Sequence, residues 1–459
     1  MGLLGILLGL GLLLWLAYRG WSVLLLAPAA ALVAAAFAAE PLLAHWTQTF
    51  MGSAARFVAQ FFPLFLLGAL FGKLMEDSGS VAAIADFMTE KLGAQRAVLA
   101  VVLAGAIVTY GGVSLFVAYF VLAPMATALF RAADIPRRLM PAAILVGSST
   151  FTMSALPGTP AIPNTIPMPF FGTTPFAAPG LGIVASAVMA GIGLWWLARQ
   201  EAAARSRGEG FADAAVPAAD AAADDPLVRE RAVAAREFDP AEIHNSAEAG
   251  TRPPILLAAL PLVVVVAVNL LMSFVILPRM DAAFLAEARF GGTTLAAVAG
   301  VWSVATALAA AIVSLLALNG TRIPSLRATM DAGANAAVLP IFSVASLVGF
   351  GAVVAAMPAF EVVRDSASGG LTIALDALGP TYMAIAAERG IDPGLMHRIA
   401  VIGAGTLDIL PHNGAVITLL AVCGCTHRDS YMDILVTGIV SSIAALALVI
   451  LIGSRVGSF

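Results

Sequence analysis

The chain has 459 residues, of which 60% are hydrophobic and only 11% charged. Soluble globular chains carry roughly a quarter charged residues, so a water-facing surface all round is excluded. The formal charge of −4 argues against a nucleic-acid partner, and two cysteines, Cys423 and Cys425, are too few for a disulfide framework or a zinc site.

A bilayer crossing takes about 20 apolar residues, because a helix rises ~1.5 Å per residue through ~30 Å of hydrocarbon. Runs of this kind are predicted at Gly2–Ala17, Trp21–Ala39, Ala54–Phe71, Gly180–Ala198, Pro254–Leu277, Thr293–Leu318, Ala334–Met357 and Met432–Gly453. No Lys or Arg precedes the first run, so Met1–Ala17 reads as a retained span rather than a secretory signal. Ala97–Phe130 would make a helix of ~51 Å, too long for one crossing, and Gly111-Gly112 marks its break. Leu371–Ala387 is a weaker segment, interrupted by Asp376 and Gly379-Pro380. The polar stretch Arg199–Arg252 divides the chain into a membrane half at 1–198, a linker at 199–252 and a second membrane half at 253–459. Arg199, Arg205, Arg207 and Arg252 place that linker in the cytoplasm. Lys73, Lys91 and Arg96 put the Lys73–Arg96 loop on the same side, as Arg131, Arg137 and Arg138 do for theirs, whereas Glu40–Ser53 should be an external loop.

Sliding the chain by 256 residues reveals an internal repeat. Leu139-Met140 falls on Leu395-Met396, Gly147 on Gly403 and Thr150 on Thr406; after a shift of two, Leu156-Pro157 falls on Leu410-Pro411. Weak repeats of this kind mark transporters.

The repeat carries two interrupted segments. Gly147–Pro169 holds prolines at 157, 160, 163, 167 and 169, which no continuous helix tolerates. No Lys, Arg, Asp or Glu occurs between Ala142 and Ala198, so a solvated loop does not fit. Non-helical backbone at membrane depth survives only against protein or a water-filled cavity. The segment offers Ser148, Ser149, Thr150, Thr152, Ser154, Gly158, Thr159, Asn164 and Thr165 to a ligand. The second segment, Gly403–Thr418, adds Thr406, Asp408, His412, Asn413 and Gly414, with Pro411 breaking the helix. A broken helix end exposes amide protons and a positive dipole end, which suit a carboxylate. Asp408 and His412, ionisable groups in an apolar stretch, are the candidates for carrying a coupling proton. Glu76 and Asp77 are further candidates, weighed against a plain role capping the helix predicted over Val81–Leu92. His427-Arg428-Asp429 reads as a charged loop turn.

In Phe71–Gly79, Tyr110–Ser114, Ser148–Pro167 and Leu407–Val416 the sequence resembles the gluconate permease (GntP) family, within the ion-transporter superfamily of carboxylate carriers. The resemblance implies proton-coupled uptake of sugar acids or other small hydroxy-monocarboxylates across a bacterial inner membrane. It also implies two inverted repeats, each with a re-entrant hairpin and an unwound helix. The expected fold is thus an all-α polytopic membrane protein of about 11–13 transmembrane segments. The expected partners are a small organic anion, the coupling proton and membrane lipid; a homodimer is compatible with the chain, and no cofactor, metal or nucleic acid is called for. A sodium-coupled carrier of the same superfamily is the alternative, and an intramembrane enzyme pairing Ser149 with His412, or a channel, stands behind it.

Overall fold

The computed structural model describes residues 2–18, 22–113, 115–211, 252–357, 371–411 and 413–459, and every regular element in them is helical. Helices α1 (Gly2–Tyr18) and α2 (Val23–Phe37) pair closely through small residues, since a Cβ at Gly5 would stand 2.5 Å from Phe37 Cβ. The next span, Leu42–Asp77, ends in α3 (Met51–Asp77) and passes through a π-turn at His45–Phe50. Most of the loop expected at Glu40–Ser53 is therefore helix. Residues 42–51 hold no Gly, Pro, Lys, Arg, Asp or Glu, so nothing opposes continuation.

Helix α4 (Ser80–Leu92) turns through 101° into Ala94–Tyr110, whose α-helical part is α5 (Ala97–Tyr110). Helix α6 (Leu115–Ala132) packs back on α5, and its N-terminal neighbour turn at Ala94–Arg96 touches α6 as well. Ala97–Phe130 is thus a hairpin turned at Gly111-Gly112, with Gly112 at φ 95°. Arg96 precedes α5 and Arg131 lies in the last turn of α6, so both open ends carry charge. At about 21 Å, α5 is too short to cross the hydrocarbon.

The remaining α-helices of eight or more residues are α7 (Met140–Ser148), α8 (Pro179–Ser206), α9 (Ile255–Leu271), α10 (Leu295–Asn319), α11 (Leu326–Ala336), α12 (Val338–Ala355), α13 (Leu371–Arg389), α14 (Pro393–Leu407), α15 (Gly414–Val422), α16 (His427–Ile434) and α17 (Ser441–Val456). Among the described residues six segments are long and apolar enough to cross a membrane: Leu42–Asp77, Pro179–Ser206, Ile255–Arg279, Leu295–Arg322, Leu326–Ala355 and His427–Val456. The bent pair makes a seventh if it counts as one span. Helix α8 runs beyond Arg199 to Ser206, supported by the Arg205–Glu201 pair at 2.7 Å. Residues 212–251 of the expected linker lie outside the described residues. The His427-Arg428-Asp429 triplet is the first turn of α16 rather than a loop, because Thr426 and Asp429 form a reciprocal capping box.

Helix α8, about 42 Å long, serves as a ruler. Beyond its C-terminal end, Glu209 takes Arg138 at 2.7 Å, and Arg138 lies in the short turn Arg137–Leu139 that leads into α7. Before its N-terminal end stands Ala178, and Gly394, at the start of α14, abuts the Ala178 nitrogen. Helices α7 and α14, which coincide in the 256-residue register, therefore start at opposite ends of α8.

Arg138 further pairs with Asp433 at 2.9 Å, and the Trp196 indole donates to the same carboxylate at 2.9 Å. The Arg138 hydrogen bond holds the Glu209 carboxyl below its usual range. Being depressed, that group stabilises the fold above the unfolded value of ~4.3 and loses its effect as pH falls through the folded value. Arg138→Ala strands the buried Asp433 carboxylate and is expected to cost about 1–3 kcal/mol at pH 7. The part owed to Glu209 should vanish below about pH 4, which thermal unfolding in detergent at the two pH values will read.

Candidate substrate site

Helix α7 stops at Ser148. Ser149 follows in a bridge-like conformation (φ −119°, ψ 0°), and Thr150 (φ −105°, ψ −107°) redirects the chain into a single turn at Phe151–Ser154. The hydroxyls here divide sharply. Ser148 donates to the Ile144 carbonyl at 2.7 Å, Thr150 to Val146 at 2.8 Å, Thr152 to Gly147 and Ser148 at 3.0 Å, and Ser154 to Thr150 at 3.0 Å. Those four are buried and turn back onto backbone carbonyls, among them those of Val146, Gly147 and Ser148 beside the break. Ser149 instead meets the Tyr119 hydroxyl at 2.6 Å and faces open space.

The proline-rich stretch is held by side chains from all round it. Gly158 sits at φ 85°, where a Cβ would lie 2.3 Å from the Phe176 ring, so only glycine fits. The Gly158 carbonyl accepts from Asn269 of α9 at 2.9 Å, and the Pro157 carbonyl accepts from Tyr110 at 2.8 Å. Thr159 is buried and accepts from the Ala161 amide, while Thr165 donates to Ile162 at 2.9 Å. Asn164 is the keystone. Its Nδ2 donates to the carbonyls of Thr159 (2.9 Å) and Pro175 (3.1 Å), and its Oδ1 receives His397 Nε2 (3.2 Å) and Arg398 Nη1 (3.4 Å). Asn164 therefore ties the segment to α14 instead of pointing at a ligand.

Helix α14 starts on a sequence cue, Asp392-Pro393, whose carboxylate caps the Gly394 and Leu395 amides. It ends at Leu407, with Asp408 as its C-cap. Thr406 is spent on the Ile402 carbonyl at 2.8 Å. After the break, Asn413 Oδ1 accepts from the Ala415 amide at 2.8 Å, which leaves its Nδ2 as a donor, and Gly414 opens α15. His412 lies outside the described residues.

The two breaks meet. One narrow cavity, partly open to solvent, is lined by Tyr119, Ser149 and Ser154 on one side and by Gly405, Asp408 and Asn413 on the other. Leu115, Met153 and Pro163 separate it from a larger, mostly apolar cavity of about 950 Å³. The polar residues of that second cavity, Thr109 and Thr165, spend their hydroxyls on the Gly105 and Ile162 carbonyls. A carboxylate needs donors, so the first cavity is the candidate site.

Glu76 and Asp77 line neither cavity. They end α3, and the N-cap of α4 is Gly79 at φ 72°, so the expected capping role does not hold. Two acids at a helix C-terminus oppose its dipole. Lys73 compensates, reaching Glu76 at 3.1 Å and Asp77 at 3.2 Å, while Thr329 of α11 donates to Asp77 at 2.6 Å. Lys73 is thus a buried helical residue and not the loop cation its charge suggested.

Sequence reasoning missed His397 and Arg398, both fully buried in α14. Arg398 donates to the Ala177 carbonyl through Nη2 (2.7 Å) and Nε (3.3 Å) and to the Ser154 carbonyl through Nη1 (3.4 Å). His397 Nδ1 faces the Thr173 hydroxyl at 2.7 Å. Ala178 adopts φ 44°, ψ 63°, a left-handed conformation that costs an alanine ~1–2 kcal/mol. It sets the peptide plane whose carbonyl, that of Ala177, meets Arg398. Two adjacent ionisable residues inside an apolar run were the available signal.

Comparison with known proteins identifies this architecture as that of a multi-pass membrane transporter. Residues 1–169 match the family model of GntP family permeases. Across 98% of its length the chain is 37% identical to 98% of an uncharacterized transporter, YxjC, of Bacillus subtilis (strain 168). The chain belongs to the GntP permease family. Among solved structures it is similar to the YdaH transporter of Alcanivorax borkumensis, at 16% identity over 91% of this chain and 90% of that one, with a TM-score of 0.44.

Asn164→Ala removes the acceptor of two buried side chains and the donor of two carbonyls. It is expected to destabilise the protein by about 2–4 kcal/mol, whereas Thr165→Ala, which frees one local carbonyl, should cost under about 1 kcal/mol. Thermal unfolding of the purified variants checks the contrast.

Proposed function

We propose that the protein is a secondary active transporter that imports a small hydroxy-carboxylate, of gluconate or hydroxybutyrate type, by proton symport with alternating access in a bacterial inner membrane. The observation that carries this reading is the single cavity walled by both interrupted segments. Its wall presents neutral donors, the Ser149–Tyr119 hydroxyl pair and Asn413 Nδ2, together with the N-terminal end of α15, whose dipole favours an anion. Ser149 stands about 14 Å along the helix axis from Met140, roughly half the hydrocarbon thickness if Arg137-Arg138 mark one membrane face.

The opposed entry of α7 and α14 supports two inverted repeats, with residues 1–198 and 253–459 as the halves and 199–252 between them on the cytoplasmic side. The hairpin of α5 and α6 is the re-entrant element of the first repeat, and α13 its register mate in the second. Counting the shorter helices beside the six long ones brings the crossings toward the 11–13 of the sequence reading. Asp408, at the cavity wall, is the group proposed to carry the proton, with His412 beside it in sequence. Glu76 and Asp77, with Lys73, form a second buried cluster that joins α3 of one half to α11 of the other.

Ser149→Ala is expected to raise KM for the transported acid by about 5- to 30-fold with little change in kcat, as loss of one hydrogen bond to a charged group predicts. Asp408→Asn should abolish accumulation against a gradient while sparing counterflow exchange. Uptake of labelled gluconate, 3-hydroxybutyrate, glycerate and lactate into proteoliposomes tests both. Unchanged concentrative uptake in Asp408→Asn removes that residue from the coupling role, and chemical conversion of the acid replaces the carrier by an enzyme.

A further inference from the structure

The larger, apolar cavity is a space that the sequence builds. Its walls are buried: Phe65 of α3, Leu308 of α10, and Ala336 and Ala337 where α11 meets α12 are at most 6% exposed. Along α3 two small residues, Gly68 and Ala69, interrupt a run of leucine and phenylalanine at the point where the helix meets the cavity. A Cβ at Gly68 would meet nothing within 4 Å. One at Gly333 of α11 would stand 3.0 Å from Leu70 Cα. The same two helices therefore pack tightly at one level and leave a gap beside it. Protein interiors are close-packed, and an apolar space left empty forfeits the contacts of its wall atoms. Water is a poor filling, because the two threonine hydroxyls in the wall, Thr109 and Thr165, already donate to the Gly105 and Ile162 carbonyls. The space calls for an apolar occupant.

Its position says which one. The two cavities share three wall residues, Leu115, Met153 and Pro163. Met153 is the adaptable member. It belongs to the single turn Phe151–Ser154, four residues after Ser149, and its unbranched thioether changes shape at little cost. A molecule whose carboxylate sits beside Ser149 and Asn413 thus has an apolar partition next to it and an apolar space behind that partition.

We infer that the larger cavity is a tail chamber of the substrate site: the acid places its carboxylate in the narrow cavity and its hydrocarbon chain past Met153 into the space in front of Gly68. The inference rests on the carrier reading above and narrows its substrate class to straight-chain aliphatic monocarboxylates, with chains longer than that of 3-hydroxybutyrate bound best. Each methylene moved from water into the chamber gains about a factor of four in affinity. A sugar acid gains nothing there, because chain hydroxyls buried without partners cost free energy.

The test uses the full-length protein in proteoliposomes and whichever labelled acid it takes up among gluconate, 3-hydroxybutyrate, glycerate and lactate. Unlabelled 3-hydroxybutyrate, 3-hydroxyhexanoate and 3-hydroxyoctanoate compete with it. The inhibition constant is expected to fall roughly 10- to 20-fold at each step of the series, which adds two methylenes. Gly68→Leu puts a side chain where nothing stands within 4 Å and replaces a poor helix former by a good one, so the fold accommodates it. It is expected to cut each step to under about threefold. Ala337→Val fills the chamber from the α11 side and is expected to act in the same direction, which keeps the test open should Gly68→Leu not fold. Inhibition constants that stay level or rise along the series, with the labelled acid still taken up, overturn the inference and leave the carrier reading intact. Steps as large in the filled variants as in the wild-type protein overturn it too, since they then report partition of the acids into lipid. Uptake of none of the labelled acids overturns the carrier reading and this inference with it.

Discussion

Backbone amides and carbonyls cannot be left bare in hydrocarbon, and this protein is built around two places where the helix that would pair them is broken. At the first, the hydroxyls of Ser148, Thr150, Thr152 and Ser154 turn back onto carbonyls within a few residues. Farther along, where prolines have removed the donors, the partners come from other elements: Tyr110 of the hairpin, Asn269 of α9, and Arg398 of α14. The broken stretch is thereby locked to both halves of the chain. Rigid support on every side is what allows a few groups, Ser149, Asp408 and Asn413, to stay turned toward the cavity.

The same arrangement explains why the cavity lies between the two interrupted segments. Helices α7 and α14 start at opposite ends of α8, so their ends approach each other from opposite directions. A site at the meeting of two opposed half-helices can be opened to either face by a small relative movement of the two supports. The buried Lys73–Asp77–Thr329 contacts and the Arg138–Asp433 pair lie across such supports, each joining an element before the central linker to one after it.

Much of the fold was legible in the sequence because lipid imposes a length. Each long apolar run coincides with a helix and the Gly111-Gly112 break is a turn, whereas the capping box from Thr426 to Asp429, read as a loop, starts a helix. The site was read less well, for a specific reason. Composition showed which polar residues stand in apolar surroundings but not which way they point. Thr150 and Asn164 are as unusual in the sequence as Ser149, yet their groups serve backbone and α14 while Ser149 faces the cavity. Charge was misread for the same reason: Lys73 looked like an interface cation and Arg398 was passed over, and both are fully enclosed. Burial of a cation depends on what the rest of the chain brings to it, which local pattern does not carry.

The central claim is that the two interrupted segments wall one substrate site. Single cysteines at Ser149 and Asn413, in a chain with Cys423 and Cys425 replaced by alanine, test it most directly through their rate of modification by a water-soluble methanethiosulfonate in membranes. The account predicts that both are modified and that the transported acid slows both to the same extent at the same concentration. Protection of one position alone, or modification of both at rates indifferent to the acid, would contradict it.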